Sequence, residues 1–232
     1  IFTVETKSYY EELKKTSVFK NRIEYLPNGV SLLDIDLTEL DILPKENIVV
    51  TVGRLGTYEK NNSLLLNAIK NLPIELVKNW EFLLIGPSTQ EFSKEVALFK
   101  EKNPAIANCI NMTGEINNRN TLYSYLRRAK IICMTSLSES TCISTLEGMY
   151  FGTYPVITNY SDFTLDTTNN NKVGCIVENK NINALVSSLK HIMSDDNLYC
   201  KGLESQFYVR SVFDYGVLTK SLDSILRRYI KG

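Results

Sequence analysis

No stretch of this chain approaches the roughly 18 consecutive apolar residues that a membrane-crossing helix needs, so no bilayer span is expected. The five cysteines, Cys109, Cys133, Cys142, Cys175 and Cys200, include no C-x-x-C pair. Three of them fall in apolar runs, where a free thiol is a small buried hydrophobe, and a reducing cytoplasm fits this usage. Histidine occurs once, at His191 beside Leu189 and Ile192, a mid-helix setting that suits packing or capping rather than catalysis. No His, Cys, Asp or Glu cluster has metal-ligand spacing, so no metal is expected. An excess of either charge is also missing: Lys plus Arg and Asp plus Glu both total 26, and the sequence pI is about 6.8. Nothing in that balance calls for a polyanionic partner, and nucleic acid is not expected as one. There is no initiating methionine and no charged-then-apolar leader before Ile1. The chain therefore reads as an excised segment without a signal peptide. Internal repeats and low-complexity tracts are absent too.

What is present is an ordinary globular composition over 232 residues, 44% hydrophobic and 22% charged, enough to bury a full core. Short apolar runs ending near glycine alternate with longer amphipathic ones. Strands are predicted at 47–53, 80–86, 109–114, 130–135, 154–158 and 173–177. Helices are predicted at 61–71, 90–102, 118–129 and 142–151, the last stopped by Gly152, and then at 182–193, 196–212 and 216–230. Strand and helix repeated in this way predict a Rossmann-like parallel sheet with helices on both faces. The Asp- and Asn-rich stretch 162–171 is expected to be an exposed loop. The first 45 residues differ: a helix at 9–15, one short strand at 22–26, the turn Pro27-Asn28-Gly29-Val30, and an irregular acidic stretch to Pro44. The formal Asp-x-Asp at Asp34-Ile35-Asp36 lies in that stretch and is read as a solvated turn rather than a metal motif.

Two carboxylates stand out. Glu139 and Glu147 follow an apolar strand, where a loop residue and a residue one or two turns into the next helix can face a ligand whose phosphates sit on the helix N-terminus. Ser144-x-x-Glu147 also matches a capping box. That explanation is set aside because a helix starting at Ser144 would have only about two turns before Gly152, against a mean of roughly three. Ser140 or Thr141 is the expected N-cap, leaving the N–H groups of Cys142 and Ile143 to open the helix and accept phosphate charge.

Tyr25-Leu26-Pro27-Asn28-Gly29-Val30, Thr51-Val52-Gly53-Arg54-Leu55 with Lys60, Leu84-Ile85-Gly86, Thr113-Gly114, Glu139-x7-Glu147 with Gly152, and Pro155-Val156-Ile157 occur in one order. This ordered set resembles glycosyltransferase family 4, and nearly the whole chain looks like the C-terminal, donor-binding half of a retaining enzyme of the two-domain GT-B fold. The resemblance implies three segments: 1–45 as the tail of an N-terminal acceptor domain plus linker, 46–212 as the nucleotide-sugar domain, and 213–232 as a terminal helix crossing back toward the missing domain. Gly53, Arg54 and Lys60 would lie at the donor diphosphate, and Thr113, Gly114, Glu115 and Ile116 would hold the base, largely through backbone. Ser140, Thr141, Cys142 and Ile143 would present the helix N-terminus. Glu139 would contact the sugar near the reacting centre, as the catalytic candidate, and Glu147 the ribose hydroxyls.

The implied function is hexosyl transfer from a nucleotide-diphosphate sugar to a glycan or lipid-linked acceptor without metal or other cofactor. A UDP-sugar leads by family frequency alone. The missing domain would supply the acceptor side, leaving the isolated fragment inactive. Family habit points to surface-polysaccharide biosynthesis in the cytoplasm, at the inner face of the membrane where Arg227-Arg228-Tyr229-Ile230-Lys231 could touch anionic lipid. Two departures count against ordinary activity. Cys142 stands where the family has a glycine, placing a side chain where backbone would otherwise approach the sugar. A glycine pair expected after Pro155-Val156-Ile157 is replaced around Ser161 and Asp162, in a loop without a clear matching glutamate. The alternatives are a non-catalytic nucleotide-sugar-binding module and a GT-B sugar-nucleotide epimerase or hydrolase.

Overall fold

A computed structural model describes residues 1–31 and 44–230. The irregular acidic stretch with Asp34-Ile35-Asp36, and Lys231 of the terminal cationic run, lie outside the described residues. The chain opens with strand β1 (Phe2–Val4), helix α1 (Lys7–Leu13) and strand β2 (Ile23–Tyr25), the two strands pairing in parallel. There follow β3 (Glu46–Val52), α2 (Asn62–Asn71), α3 (Ile74–Val77), β4 (Glu81–Ile85), α4 (Gln90–Lys102), β5 (Ile110–Gly114), α5 (Arg119–Arg128) and β6 (Ala129–Met134). The remainder is α6 (Ile143–Tyr150), β7 (Tyr154–Thr158), α7 (Phe163–Thr167), β8 (Cys175–Val177), α8 (Ile182–Met193), α9 (Leu198–Val212) and α10 (Tyr215–Ile230).

Strands β3 to β8 form one six-stranded sheet in the order β5-β4-β3-β6-β7-β8, every pair parallel. A fully parallel sheet must bury both faces. Alternate side chains do this. Val49, Phe82, Leu84, Ile131, Cys133 and Val156 enter one apolar cluster with α2, α4 and α8. Ile48, Val50, Leu83, Ile85, Ile132, Met134 and Ile157 enter another with α5, α6 and α9. Helix starts follow local chemistry: Thr89, Asn118 and Asn181 each accept the N–H three residues on, at 3.2, 3.1 and 2.9 Å.

Strand order reverses between β3 and β6. From β3 the chain steps outward through β4 and β5, and from β6 it steps the other way through β7 and β8. The crevice outside the carboxyl ends of these two strands is the topological switch point, the place where such sheets bind ligands. The ends of β3 and β4 are packed backbone to backbone. A Cβ on Gly86, whose φ is +131°, would sit 2.0 Å from the Gly53 carbonyl oxygen, so only glycine fits there.

The structure overturns one expectation outright. Residues 162–171 are not an exposed loop: they contain α7, with Phe163, Thr164, Asp166, Thr167 and Thr168 buried. Composition misleads because tertiary contacts replace water. The Asp166 carboxylate accepts the Lys7 N–H at 2.8 Å, Asp162 accepts the Ser8 hydroxyl at 2.7 Å, and Phe163 packs edge-on to Phe213. The turn signal belongs to Asn169, Asn170 and Asn171, all in left-handed backbone with φ of 49°, 56° and 65°. Strand β1 and the short α3 are not expected from the sequence.

Helix α10 packs beside the first 31 residues: Val30 and Asp214 form a β-bridge, Arg228 pairs with Glu24 at 3.0 Å, and the Tyr229 hydroxyl donates to the Asn21 carbonyl at 2.8 Å.

Candidate functional site

The loop after β3 and the loop after β6 meet at the switch point. Thr135, buried at the end of β6, donates its hydroxyl to the Lys60 and Asn61 carbonyls at 3.2 and 3.0 Å. The Leu137 N–H donates to the Glu59 carbonyl at 2.7 Å. Thr158, from β7, donates to the Ser136 carbonyl at 2.5 Å, fixing the second loop from behind. Between the loops the Lys60 ammonium forms an ion pair with Glu139, whose same oxygen also accepts the Ser136 hydroxyl at 2.7 Å. Both side chains of the pair are largely buried, 15% and 16% exposed. The Lys60 stem lies beside Gly53, where a Cβ would meet its Cε at 3.2 Å.

Thus Gly53, Lys60 and Glu139 come together. Arg54 does not join them. It is exposed at the crevice edge, and its guanidinium makes no hydrogen bond to a described residue. A cation in that position is available to an anionic ligand.

The expected helix start needs correction. The N-cap of α6 is Cys142, with no side-chain cap bond, rather than Ser140 or Thr141. Ser140 is exposed and lines a 460 Å³ cleft shared with Glu5, Thr6, Tyr9 and Asp162, while the Thr141 hydroxyl donates to Glu5 at 3.1 Å. The Ile143 N–H is not free either, because it donates to the Thr141 carbonyl at 3.0 Å. Cys142 departs from expectation as well. Its side chain turns into the core, 3% exposed, with φ of −81°, so glycine is not required and the thiol does not obstruct the crevice. Burial pushes that thiol up from its ordinary range, which makes it a poor nucleophile. A maleimide is therefore expected to label exposed Cys200 in the folded protein and leave Cys142 unmodified until denaturant is added; tryptic mass spectrometry reads the difference.

Glu147 forms a second centre, one turn into α6. It is 7% exposed, and its Oε1 accepts from Arg119 at 2.8 Å and from the Tyr123 hydroxyl at 3.2 Å. The capping box is not made. Helix length is not the reason, however, since α6 has only eight residues; the buried carboxylate is simply claimed by α5. Desolvation raises the Glu147 pKa, and the Arg119 charge opposes that rise. Arg119 and Tyr123 are site residues that the sequence does not single out. Their spacing of four on one helix face is visible in it, but their target is not.

Thr113 and Gly114 end β5, the outer strand on that side of the sheet, where the Gly114 carbonyl accepts the Gly86 N–H at 3.0 Å. The space beside Gly114 is open, Glu115 is exposed, and Ile116 packs on the second cluster. His191 is exposed in the last turn of α8. Among the described residues no His, Cys, Asp or Glu group could hold a metal ion, and no helix is long and apolar enough to cross a membrane.

Comparison with known proteins gives this geometry a family. Residues 35–204 match the family model described as glycosyl transferases group 1. A relative from Campylobacter jejuni subsp. jejuni serotype O:2 is 27% identical over 191 residues, 82% of this chain and 49% of that protein. Its name is GalNAc-alpha-(1->4)-GalNAc-alpha-(1->3)-diNAcBac-PP-undecaprenol alpha-1,4-N-acetyl-D-galactosaminyltransferase. Among solved structures, sucrose-phosphate synthase from Thermosynechococcus elongatus superposes with a TM-score of 0.76 at 20% identity, covering 99% of this chain and 58% of that one. Anabaena HepE, solved with UDP and glucose, gives a TM-score of 0.74 at 13% identity, covering 97% of this chain and 62% of that one. The chain thus spans about half the length of the curated relative.

Proposed function

Because the chain belongs to the group 1 glycosyl transferases, with the α/β fold of GT-B enzymes, we propose that it is the donor half of a retaining, family 4 type enzyme that binds a nucleotide-diphosphate sugar. The observation that carries this reading is the Lys60–Glu139 pair beside Gly53 at the switch point. It puts a cation where a diphosphate can lie and a carboxylate where a sugar hydroxyl or developing positive charge can be met. In this reading Arg54 and Lys60 stabilise the departing nucleotide diphosphate without metal. Glu139 contacts the sugar, Glu147 takes the ribose, and the backbone around Thr113 to Ile116 takes the base. The loop of Ser140, Thr141, Cys142 and Ile143 borders the sugar.

A UDP-sugar is the leading donor, supported by the fold shared with HepE, which was solved with UDP. A glycan or lipid-linked acceptor is supported by the relative's name, which contains a PP-undecaprenol saccharide, and work at the inner face of the membrane in polysaccharide assembly is part of the same proposal. Residues 1–45 then end the acceptor domain, 46–212 form the donor domain, and 213–232 cross back. The contacts of α10 with Glu24 and Asn21 support that division. Because residues 1–232 span about half the length of the curated relative, they are expected on their own to bind donor and transfer little. The non-catalytic reading loses one of its two grounds, since the Cys142 side chain leaves the crevice clear.

Calorimetric titration with UDP, GDP and ADP, then with a panel of UDP-sugars, tests the proposal; no binding by any of them overturns it. Arg54→Ala is expected to weaken binding of the preferred nucleotide by about 1.5–3 kcal/mol, the usual loss for a charge-assisted hydrogen bond. An unchanged affinity removes Arg54 from the site.

A further inference from the structure

Of the two candidate carboxylates, Glu147 is the one whose orientation is set by a neighbouring helix. Arg119 and Tyr123 stand one helical turn apart at the start of α5, on the face turned toward α6. Arg119 Nη1 donates to the Tyr123 hydroxyl at 2.7 Å and to Glu147 Oε1 at 2.8 Å, and the Tyr123 hydroxyl donates its own proton to the same Oε1 at 3.2 Å. Tyr123 is fully buried, its ring tilted on Phe151 at 5.0 Å between centroids, so its hydroxyl has little freedom to move. Two donors therefore converge on one carboxylate oxygen. Oε2 accepts no hydrogen bond from a described residue. A carboxylate has about four lone-pair sites, and a carboxylate pinned through one oxygen offers the other at a defined angle.

We propose that Arg119 and Tyr123 are positioning residues that orient Glu147 Oε2 toward the ribose of the bound nucleotide, and so set the discrimination of ribose from deoxyribose. This rests on the reading of Glu147 as the ribose contact. The physical basis is pre-organisation. A free glutamate must lose rotamer freedom and water to meet a hydroxyl, whereas here two donors have already fixed its rotamer. Arg119 has a second effect. Its guanidinium, 70% exposed, opposes the rise that desolvation causes in the Glu147 pKa. An ionised carboxylate accepts from a hydroxyl more strongly than a neutral acid does.

The test compares UDP, GDP and ADP with their 2′-deoxy and 3′-deoxy forms on the 232-residue chain, by calorimetry, for the native protein and for Glu147→Gln, Arg119→Met, Arg119→Lys and Tyr123→Phe. For the preferred base, the native protein is expected to favour the ribonucleotide over at least one deoxy form by roughly tenfold or more, the range of one charge-assisted hydrogen bond. Glu147→Gln, Arg119→Met and Tyr123→Phe are each expected to bring that ratio toward one, with Arg119→Lys retaining most of it. Loss of packing alone would weaken ribo and deoxy forms equally and leave the ratio intact. If Glu147→Gln abolishes the ratio while Arg119→Met and Tyr123→Phe preserve it, the positioning role is wrong and the ribose role stands. If the native protein shows no ratio, or Glu147→Gln preserves it, the ribose reading itself fails and the inference with it. If no nucleotide binds, the donor reading is overturned as well.

Discussion

Replacing Gly86 with alanine is expected to lower the free energy of unfolding by about 3 kcal/mol or more, the sum of a strained backbone and an overpacked contact. The added Cβ would lie 2.0 Å from the Gly53 carbonyl oxygen, at a φ of +131° that side chains rarely adopt. No side-chain rotation relieves a clash with backbone. The strand ends on both sides are already bonded to one another, since the Gly53 N–H donates to the Ile85 carbonyl at 3.0 Å and the Gly86 N–H to Gly114 at 3.0 Å. The strain therefore spreads into the loops that carry Gly53, Lys60 and Gly114, and nucleotide affinity is expected to fall with stability. Gly114→Ala is the control. It too has positive φ, at +71°, but open space around it, so about 1 kcal/mol is expected from left-handed backbone alone. Urea denaturation measures both. A Gly86→Ala protein within about 0.5 kcal/mol of the parent on an otherwise comparable curve would show that the two loops are not locked together, that margin being the size of a neutral surface change.

The second large effect is at Lys60. Lys60→Met leaves Glu139 largely buried with only the Ser136 hydroxyl on its carboxylate. Breaking a buried pair costs about 3–5 kcal/mol, and the residual exposure of this one argues for the lower end. The double variant Lys60→Met with Glu139→Gln is expected to regain most of that stability, because no unpaired charge remains. It should not regain nucleotide binding, which is expected to stay weakened by roughly tenfold to a hundredfold through loss of the cation. Stability and affinity thus separate in one cycle. Recovery of affinity in the double variant would mean that Lys60 serves the fold and not the ligand.

Period and punctuation alone make the sheet legible. Runs such as Ile48 to Val52 and Phe82 to Ile85 are apolar on both faces, which only a strand covered on both sides can use. The helices expected at about 90–102 and 182–193 form at Gln90–Lys102 and Ile182–Met193, where Thr89 and Asn181 cap the first turns. Residues 162–171 mislead for the opposite reason. Thr, Asp and Asn prefer turns in water, and α7 exists because Lys7, Ser8 and Phe213, distant in sequence, satisfy what water would otherwise have satisfied.

The candidate site divides in the same way. Spacing along one chain is enough to put Gly53, Lys60 and Glu139 on loops that follow two of the strands and Glu147 in the first turns of the next helix. It is not enough to say which charges meet. That Lys60 pairs with Glu139, that Arg119 and Tyr123 hold Glu147, and that Cys142 turns inward are outcomes of which strands lie side by side and which helix faces the sheet. Those are long-range choices made by burying apolar area, and ionic partners are then found among whatever side chains that packing brings within a few ångströms. Pairwise electrostatics falls off with distance in space and is blind to distance in sequence. For that reason the carboxylates acquire their partners in the folded chain, and their sequence neighbours do not foretell them.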